Sequence, residues 1–315
     1  MATTGQAHPA ILGNRIRPAA MIRGLRRASE RVIEFFLFLA ALSSVLITVG
    51  IVGILVFESL QFFKDVSILE FLTDTQWTVL FADPHYGIMP LVSGTLVTSF
   101  VALVVSLPLG TIIAIYLSEY AGSRTREILK PTLELLSAVP TVVFGYFALL
   151  FVTPLLKRVL PNLPGFNMLS AGMVIGIMII PYVSSLSEDA MRVVPVHIRE
   201  GSYAMGATRL QTALRVLFPA AFSGIASAYV LGFSRAVGET MIVAVAAGMQ
   251  PNLTLNPMEG AATITAYIVQ VSLGDLPHGS IAYQSIFAAG LTLMLMTLIF
   301  NIGGYLLRKR FREIY

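Results

Sequence analysis

Residues 199–241 read REGSYAMGATRLQTALRVLFPAAFSGIASAYVLGFSRAVGETM. The first half is polar and charged, with Arg199, Glu200, Arg209 and Arg215; the second half is apolar and small, interrupted by Arg235 and Glu239. An aqueous loop running straight into an apolar helix is how a membrane protein enters a span, so this stretch decides the fold class. Within the loop, Leu210, Ala213, Leu214 and Leu217 recur at i, i+3, i+4 and i+7, which predicts a helix with one apolar face. Thr208 is placed to N-cap that helix. Residues 196–205 predict a second short helix, with Gly206 as the break between the two and Pro219 closing the segment where the span begins. The pair would lie across the membrane surface. Gly201, Ser202 and Ala204 are small enough to let another protein approach. On residue pattern alone, an amphipathic anchor for the bundle is the stronger reading.

Outward from this stretch, the chain is 56% hydrophobic and only 12% charged, with a mean hydropathy of +0.80. That composition excludes a soluble domain. Apolar runs at 35–57, 91–117, 131–156, 167–186, 219–248 and 284–307 each approach or exceed the length of about 18–20 residues that crosses a bilayer as a helix. The expected architecture is all-α and polytopic, with six transmembrane helices. Residues 1–32 form a basic tail, and the run after it is too long for a secretory leader. Residues 58–90 form an acidic outer segment in which Trp77 and Tyr86 suit an interfacial position. Residues 187–218 are the longest polar insertion. Of 21 Lys and Arg, seventeen fall on the side of the two tails and the 187–218 loop, three fall opposite, and Arg235 lies within a span. This asymmetry predicts cytoplasmic termini. It also accounts for the net charge of +4 without a nucleic-acid partner.

The ionisable pair is the candidate site. Arg235 is the seventeenth residue of a span begun at Pro219, near the bilayer midplane. A charge there costs from about 2.5 to well over 10 kcal/mol. Glu239 lies one turn further on and can pair with it. Ser234, Thr240 and their small neighbours suit a wall facing a pathway. The pair is either a structural pin between helices or a functional group on a substrate path, where a guanidinium fork would meet a tetrahedral oxyanion. Other chemistry is thin. There is no cysteine, and His8, His85, His197 and His278 are scattered, so no metal site is expected. No lysine follows a glycine, so the chain offers no Walker A loop of its own.

Residue order then adds a resemblance. Glu200-Gly201-Ser202, three residues, Gly206, nine residues, and Val216-x-Phe218-Pro219 resemble the EAA loop of ABC importer permeases, with Gly-Ser standing for Ala-Ala. Arg235-Ala-Val-Gly-Glu239-Thr240-Met241 resembles the matching stretch of phosphate-specific permeases; sulfate and molybdate permeases carry Phe-Gly after the Glu. Tyr86-Gly87-Ile88-Met89-Pro90-Leu91 with Gly94-Thr95, and Val139-Pro140-Thr141-Val142-Val143-Phe144-Gly145, are similar to the C-type subunit of the phosphate (Pst) pair. The resemblance implies a type I (MetI-like) permease core over 91–307, with a coupling loop at 187–218 ahead of a C-terminal tail at 308–315. It implies a bacterial cytoplasmic (inner) membrane location and an ATPase-coupling role for Glu200, Gly201, Ser202, Gly206 and Pro219. It further implies a substrate-pathway role for Arg235, Glu239, Thr240 and Ser234. The implied partners are an A-type permease subunit, two copies of an ATP-binding subunit that hold the ATP and Mg, an extracytoplasmic phosphate-binding protein, and lipid. The alternatives are another oxyanion, an ATP-independent secondary transporter, or a membrane scaffold.

Overall fold

The computed structural model describes residues 17–79, 81–274, 276–277 and 279–310, with side chains from Glu30 onward. The first sixteen residues of the basic tail, which include His8, together with His278 and the end of the C-terminal tail, lie outside the described residues. In chain order the helices are α1 (Arg17–Asp65), α2 (Ile68–Thr73), α3 (Met89–Ile115), α4 (Ser123–Ala138), α5 (Thr141–Phe147), α6 (Thr153–Lys157), α7 (Met168–Val193), α8 (Val196–Ala204), α9 (Arg209–Thr212), α10 (Phe218–Ala220), α11 (Phe222–Val237), α12 (Met241–Ala246), α13 (Ile264–Ser272) and α14 (Ile281–Arg310). π-helical turns follow α3 (Tyr116–Tyr120), α5 (Ala148–Val152) and α9 (Ala213–Leu217). No strand occurs among the described residues, only an isolated Trp77–Tyr86 bridge.

The chain divides into two compact units, residues 1–54 and 55–315. The described side chains of the first unit, Phe36 and Leu46 among them, are exposed. An apolar helix bare on every side is stable only in hydrocarbon, since its backbone groups are satisfied within the helix.

The second unit is built on α3 and α7. Packing between spans cannot draw on the hydrophobic effect and depends on close van der Waals fit instead. Glycine provides it. A methyl group at Gly176 would lie 2.7 Å from the Ala102 carbonyl, and one at Gly172 would lie 2.8 Å from that of Thr98. Around this seam Val174, Ile175, Met178 and Ile179 of α7 pack with Ala102 of α3, Phe144 of α5, and Ile242 and Val243 of α12. A second cluster places Phe62, Phe71, Trp77 and Ile88 against Leu91, Ile264, Tyr267 and Ala288. Trp77 is therefore core rather than interfacial: it is 2% exposed and stands edge-on to Tyr267, with ring centroids 4.9 Å apart.

Four helices are long and apolar enough to span a membrane, Glu30–Asp65, Met89–Tyr120, Met168–Val193 and Ile281–Arg310. The expected spans at 131–156 and 219–248 are not straight helices. Each is part of a bent pair, Ser123–Ala138 with Thr141–Lys157 turning by 86° and Arg209–Ala220 with Phe222–Val237 turning by 77°, so six spans result only when each pair counts as one. The first bend has a local cause. Val139 precedes a proline and is pushed out of the helical region, to ψ 129°, and Pro140 follows at ψ 132°. The second lies at Ala221, φ −88° and ψ 2°.

Candidate functional site

The break at the end of α11 positions the ionisable pair. The helix runs from Phe222 to Val237 and stops at Gly238, so Arg235 lies in its last turn and Glu239 lies beyond it. The two are not stacked on one continuous helix, and their closest approach is 3.9 Å. The Glu239 carboxylate is turned inward, 3% exposed, and its Oε1 accepts the amides of Met241 (3.2 Å) and Ile242 (3.4 Å) at the start of α12. A carboxylate on the unpaired amides of a helix start is stabilised both by the hydrogen bonds and by the helix dipole. The Glu239 carbonyl accepts the Thr265 hydroxyl at 2.7 Å, tying the break to α13. Thr95 completes the seat: its Oγ1 accepts the Ile264 amide at 3.0 Å. Gly94 beside it leaves no room for a methyl group against the Ala262 carbonyl.

Arg235 is the other half of this arrangement. Its side chain is 44% exposed, and one of its partner's oxygens, Oε1, is committed to helix amides while Oε2 stands 3.9 Å away. Several guanidinium donors therefore face outward from a membrane helix. Ser234 donates to Asn301 of α14 at 3.1 Å, and Thr240 donates to the Gly238 carbonyl at 3.3 Å. Of the four expected pathway residues, Arg235 is exposed, Ser234 and Thr240 are partly exposed, and Glu239 is buried. A cavity of about 660 Å³ lies elsewhere, lined by Phe166, Gly248, Gln250 and Glu259, and Arg235 takes no part in it. Hydrogen bonding from the Thr254 side chain, and then from that of Asn256, holds the Glu259 carboxyl below its usual range.

The coupling segment separates into two faces. No residue of α8 is buried, and Glu200 is exposed. Gly201 has open space where a side chain would stand, and Gly206 turns the chain at φ +83°. Thr208 caps α9 through a full capping box with Gln211. The residues expected on one apolar face divide between α9 and the π-helical turn after it. Ala213 and Leu217 are buried, but Leu210 and Leu214 are 52% and 49% exposed, because the π-helical turn Ala213–Leu217 resets the rotation. Pro219 lies in α10, just before the bend.

Two charged clusters were not singled out by the sequence. Glu188, fully buried at the end of α7, lies 3.1 Å from Arg126 Nε, 2.8 Å from Lys130 Nζ and 3.6 Å from Arg192 Nη1. Lys130 also reaches Asp189 at 2.7 Å. Glu119, in the π-helical turn after α3, is 3% exposed and 3.1 Å from Arg199 Nη2. Only the Glu188–Arg192 spacing was visible in sequence; the other partners are far apart along the chain.

Comparison with known proteins follows this geometry. The family described as "Binding-protein-dependent transport system inner membrane component" matches residues 106–313. "Probable ABC transporter permease protein YqgH" of Bacillus subtilis is 36% identical over 262 residues, covering 82% of this chain and 84% of that one. "Phosphate transport system permease protein PstC 1" of Mycobacterium tuberculosis is 32% identical over 274 residues, covering 75% and 80%. Among solved structures, a chain of a bacterial ABC transporter involved in import of the acidic polysaccharide alginate superposes with a TM-score of 0.63. It is 17% identical and covers 91% of this chain and 100% of that one, a likeness of fold.

Proposed function

Because the chain belongs to the binding-protein-dependent inner membrane transport components, we propose that it is the C-type permease subunit of an ATP-driven importer of inorganic phosphate. The observation that carries the reading is the exposed guanidinium of Arg235 in a membrane helix, beside a carboxylate that gives one oxygen to helix amides. A bare charge facing lipid is too costly to persist. It is stable where a second subunit or a water-filled path covers it. The exposed flank formed by Leu231 and Arg235 of α11 and Met241 of α12 is accordingly where an A-type permease joins, with the phosphate path between the two chains. A planar fork with free donors binds a tetrahedral oxyanion. Glu239, held nearby, limits how tightly the anion stays. The names of the relatives speak for phosphate over sulfate or molybdate.

Both termini face the cytoplasm by the distribution of Lys and Arg. Two ATP-binding subunits, carrying ATP and Mg, dock on α8 around Glu200 and Gly201. An extracytoplasmic phosphate-binding protein delivers the anion to the opposite side. Closure of the ATPase pair moves α8, and the spans alternate between outward and inward access.

The test is ATP hydrolysis by the reconstituted complex with its binding protein, compared across phosphate, sulfate and molybdate. Stimulation by phosphate alone supports the reading, and stimulation by another oxyanion in its place overturns it. Phosphate uptake by liposomes holding the permease without any ATPase would favour a secondary carrier.

A further inference from the structure

We propose that Glu119, Arg199 and Tyr203 form the joint through which α8 drives α3. This rests on the reading of α8 as the ATPase dock and specifies how its motion enters the membrane.

Arg199 and Tyr203 are four residues apart and share one face of α8; Glu200 and Ala204, equally spaced, share a neighbouring face that is exposed. The first pair converges on one carboxylate. Arg199 Nη2 lies 3.1 Å from Glu119 Oε1, and the Tyr203 hydroxyl donates to Glu119 Oε2 at 3.1 Å. The Ser118 hydroxyl adds a bond to Oε1 at 3.1 Å. Both carboxylate oxygens are thus occupied by α8. Burial, and then Glu119 itself, push the Tyr203 phenol above its usual pKa, which keeps it a donor.

Two features distinguish a moving joint from a passive anchor. Arg199 is poorly satisfied: its Nε is buried with no acceptor, and its Nη2 meets Glu119 by proximity rather than an aligned hydrogen bond. A rigid anchor would have these covered donor atoms bonded or replaced by apolar groups, although the Arg199 side chain as a whole is 23% exposed. Glu119 also stands in a π-helical turn, where the backbone carries an extra residue and can change register at modest cost. A second π-helical turn begins right after Thr212, whose hydroxyl bonds Ser202 of α8 at 2.9 Å. The C-terminal covalent arm of the coupling segment therefore leaves α8 through yielding backbone, the N-terminal arm joins α7 through Val194 and Pro195, and the charged contact to Glu119 is direct.

From Glu119 the path passes through the π-helical turn into α3 and is rigid from there. α3 runs 27 residues to Met89. Near its far end Thr95 holds the Ile264 amide, and Thr265 holds the Glu239 carbonyl. Displacement of α8 thereby reaches the break that carries Arg235.

The experiment uses the full importer in proteoliposomes and reads phosphate moved per ATP hydrolysed, with ATPase retention and membrane level measured in parallel. Glu119→Gln and Arg199→Lys lower phosphate per ATP about tenfold, within the usual range of coupling between sites, with the ATPase still bound. Tyr203→Phe, which keeps the ion pair, lowers it about twofold. Exchanging the charges, Glu119→Arg with Arg199→Glu, restores a substantial part of the ratio even where a single variant folds poorly. An unchanged ratio in Glu119→Gln, or no recovery in the exchanged pair, overturns the joint alone. A Glu200→Arg chain that keeps both its ATPase and its uptake overturns the docking reading, and the joint with it.

Discussion

Glu188 and Glu239 are both buried carboxylates with an arginine four residues away, and they do opposite work. Glu188 is met by Arg126, Lys130 and Arg192, so its charge is more than matched. It clamps α4 to the end of α7. Glu239 gives one oxygen to the amides of α12 and leaves Arg235 at 3.9 Å. The first arrangement closes on itself, and the second leaves a cation open to its surroundings. Spacing along the chain brings an acid and a base together, but the backbone between them decides what each then does. Arg192 and Glu188 share the uninterrupted helix α7, whereas the stop at Gly238 places Glu239 against a new helix start.

The contrast can be broken first at Arg235. Arg235→Gln is expected to reduce uptake of radiolabelled phosphate by about two orders of magnitude, the loss of charged contacts of about 3 kcal/mol. The complex should assemble normally. Loss of assembly would instead make the pair a structural pin. Arg235→Lys keeps the charge but not the fork and should fall between, at roughly tenfold.

Stability sharpens the same contrast. Glu188→Gln leaves three cations facing a neutral amide and is expected to cost about 3 kcal/mol in unfolding of the detergent-solubilised protein. Glu239→Gln keeps an oxygen for the α12 amides and should cost under about 1 kcal/mol. Equal losses would show that both carboxylates are clamps.

The smallest effect is expected in the outer segment, where His85 Nδ1 lies 3.0 Å from Asp74 Oδ2 and Nε2 lies 3.7 Å from Asp83. The bond to Asp74 raises the His85 pKa above its ordinary 6.5. For Asp74, burial pulls upward, but the Gln76 amide and His85 hold it below 3.8. A raised histidine stabilises fully below its unfolded pKa and loses that contribution as pH rises through the folded value. A lowered aspartate stabilises above its unfolded pKa and loses it as pH falls through the folded one. The link is therefore strongest between about pH 4 and 6.5. Trp77, the only tryptophan in the chain, reports on the segment by fluorescence. Its thermal transition should shift slightly downward as pH rises past neutrality, and His85→Gln should remove that dependence.

Much of this was legible in the sequence. The four straight spans follow from hydropathy, and the Gly206 break and Thr208 cap follow from local backbone chemistry. Pro140 inside an apolar run signals a kink as well, but not a turn of 86°. The bend at Ala221 falls two residues past Pro219, where the sequence already closes the loop, but the stop at Gly238 was read through, which placed Arg235 near the midplane of a straight span instead of in the last turn of a shorter helix. Trp77 reads as interfacial only until its neighbours in α13 are known. The Glu119–Arg199 contact joins residues eighty positions apart, and no local pattern encodes a pairing of that kind.

The seat between α3 and the start of α13 has a mechanical consequence. With no space for a methyl group at Gly94 and the Ile264 amide held by Thr95, the two elements are welded into one lever. Any tilt of one therefore carries the other, and a side chain introduced at Gly94 would act as a wedge driven between them.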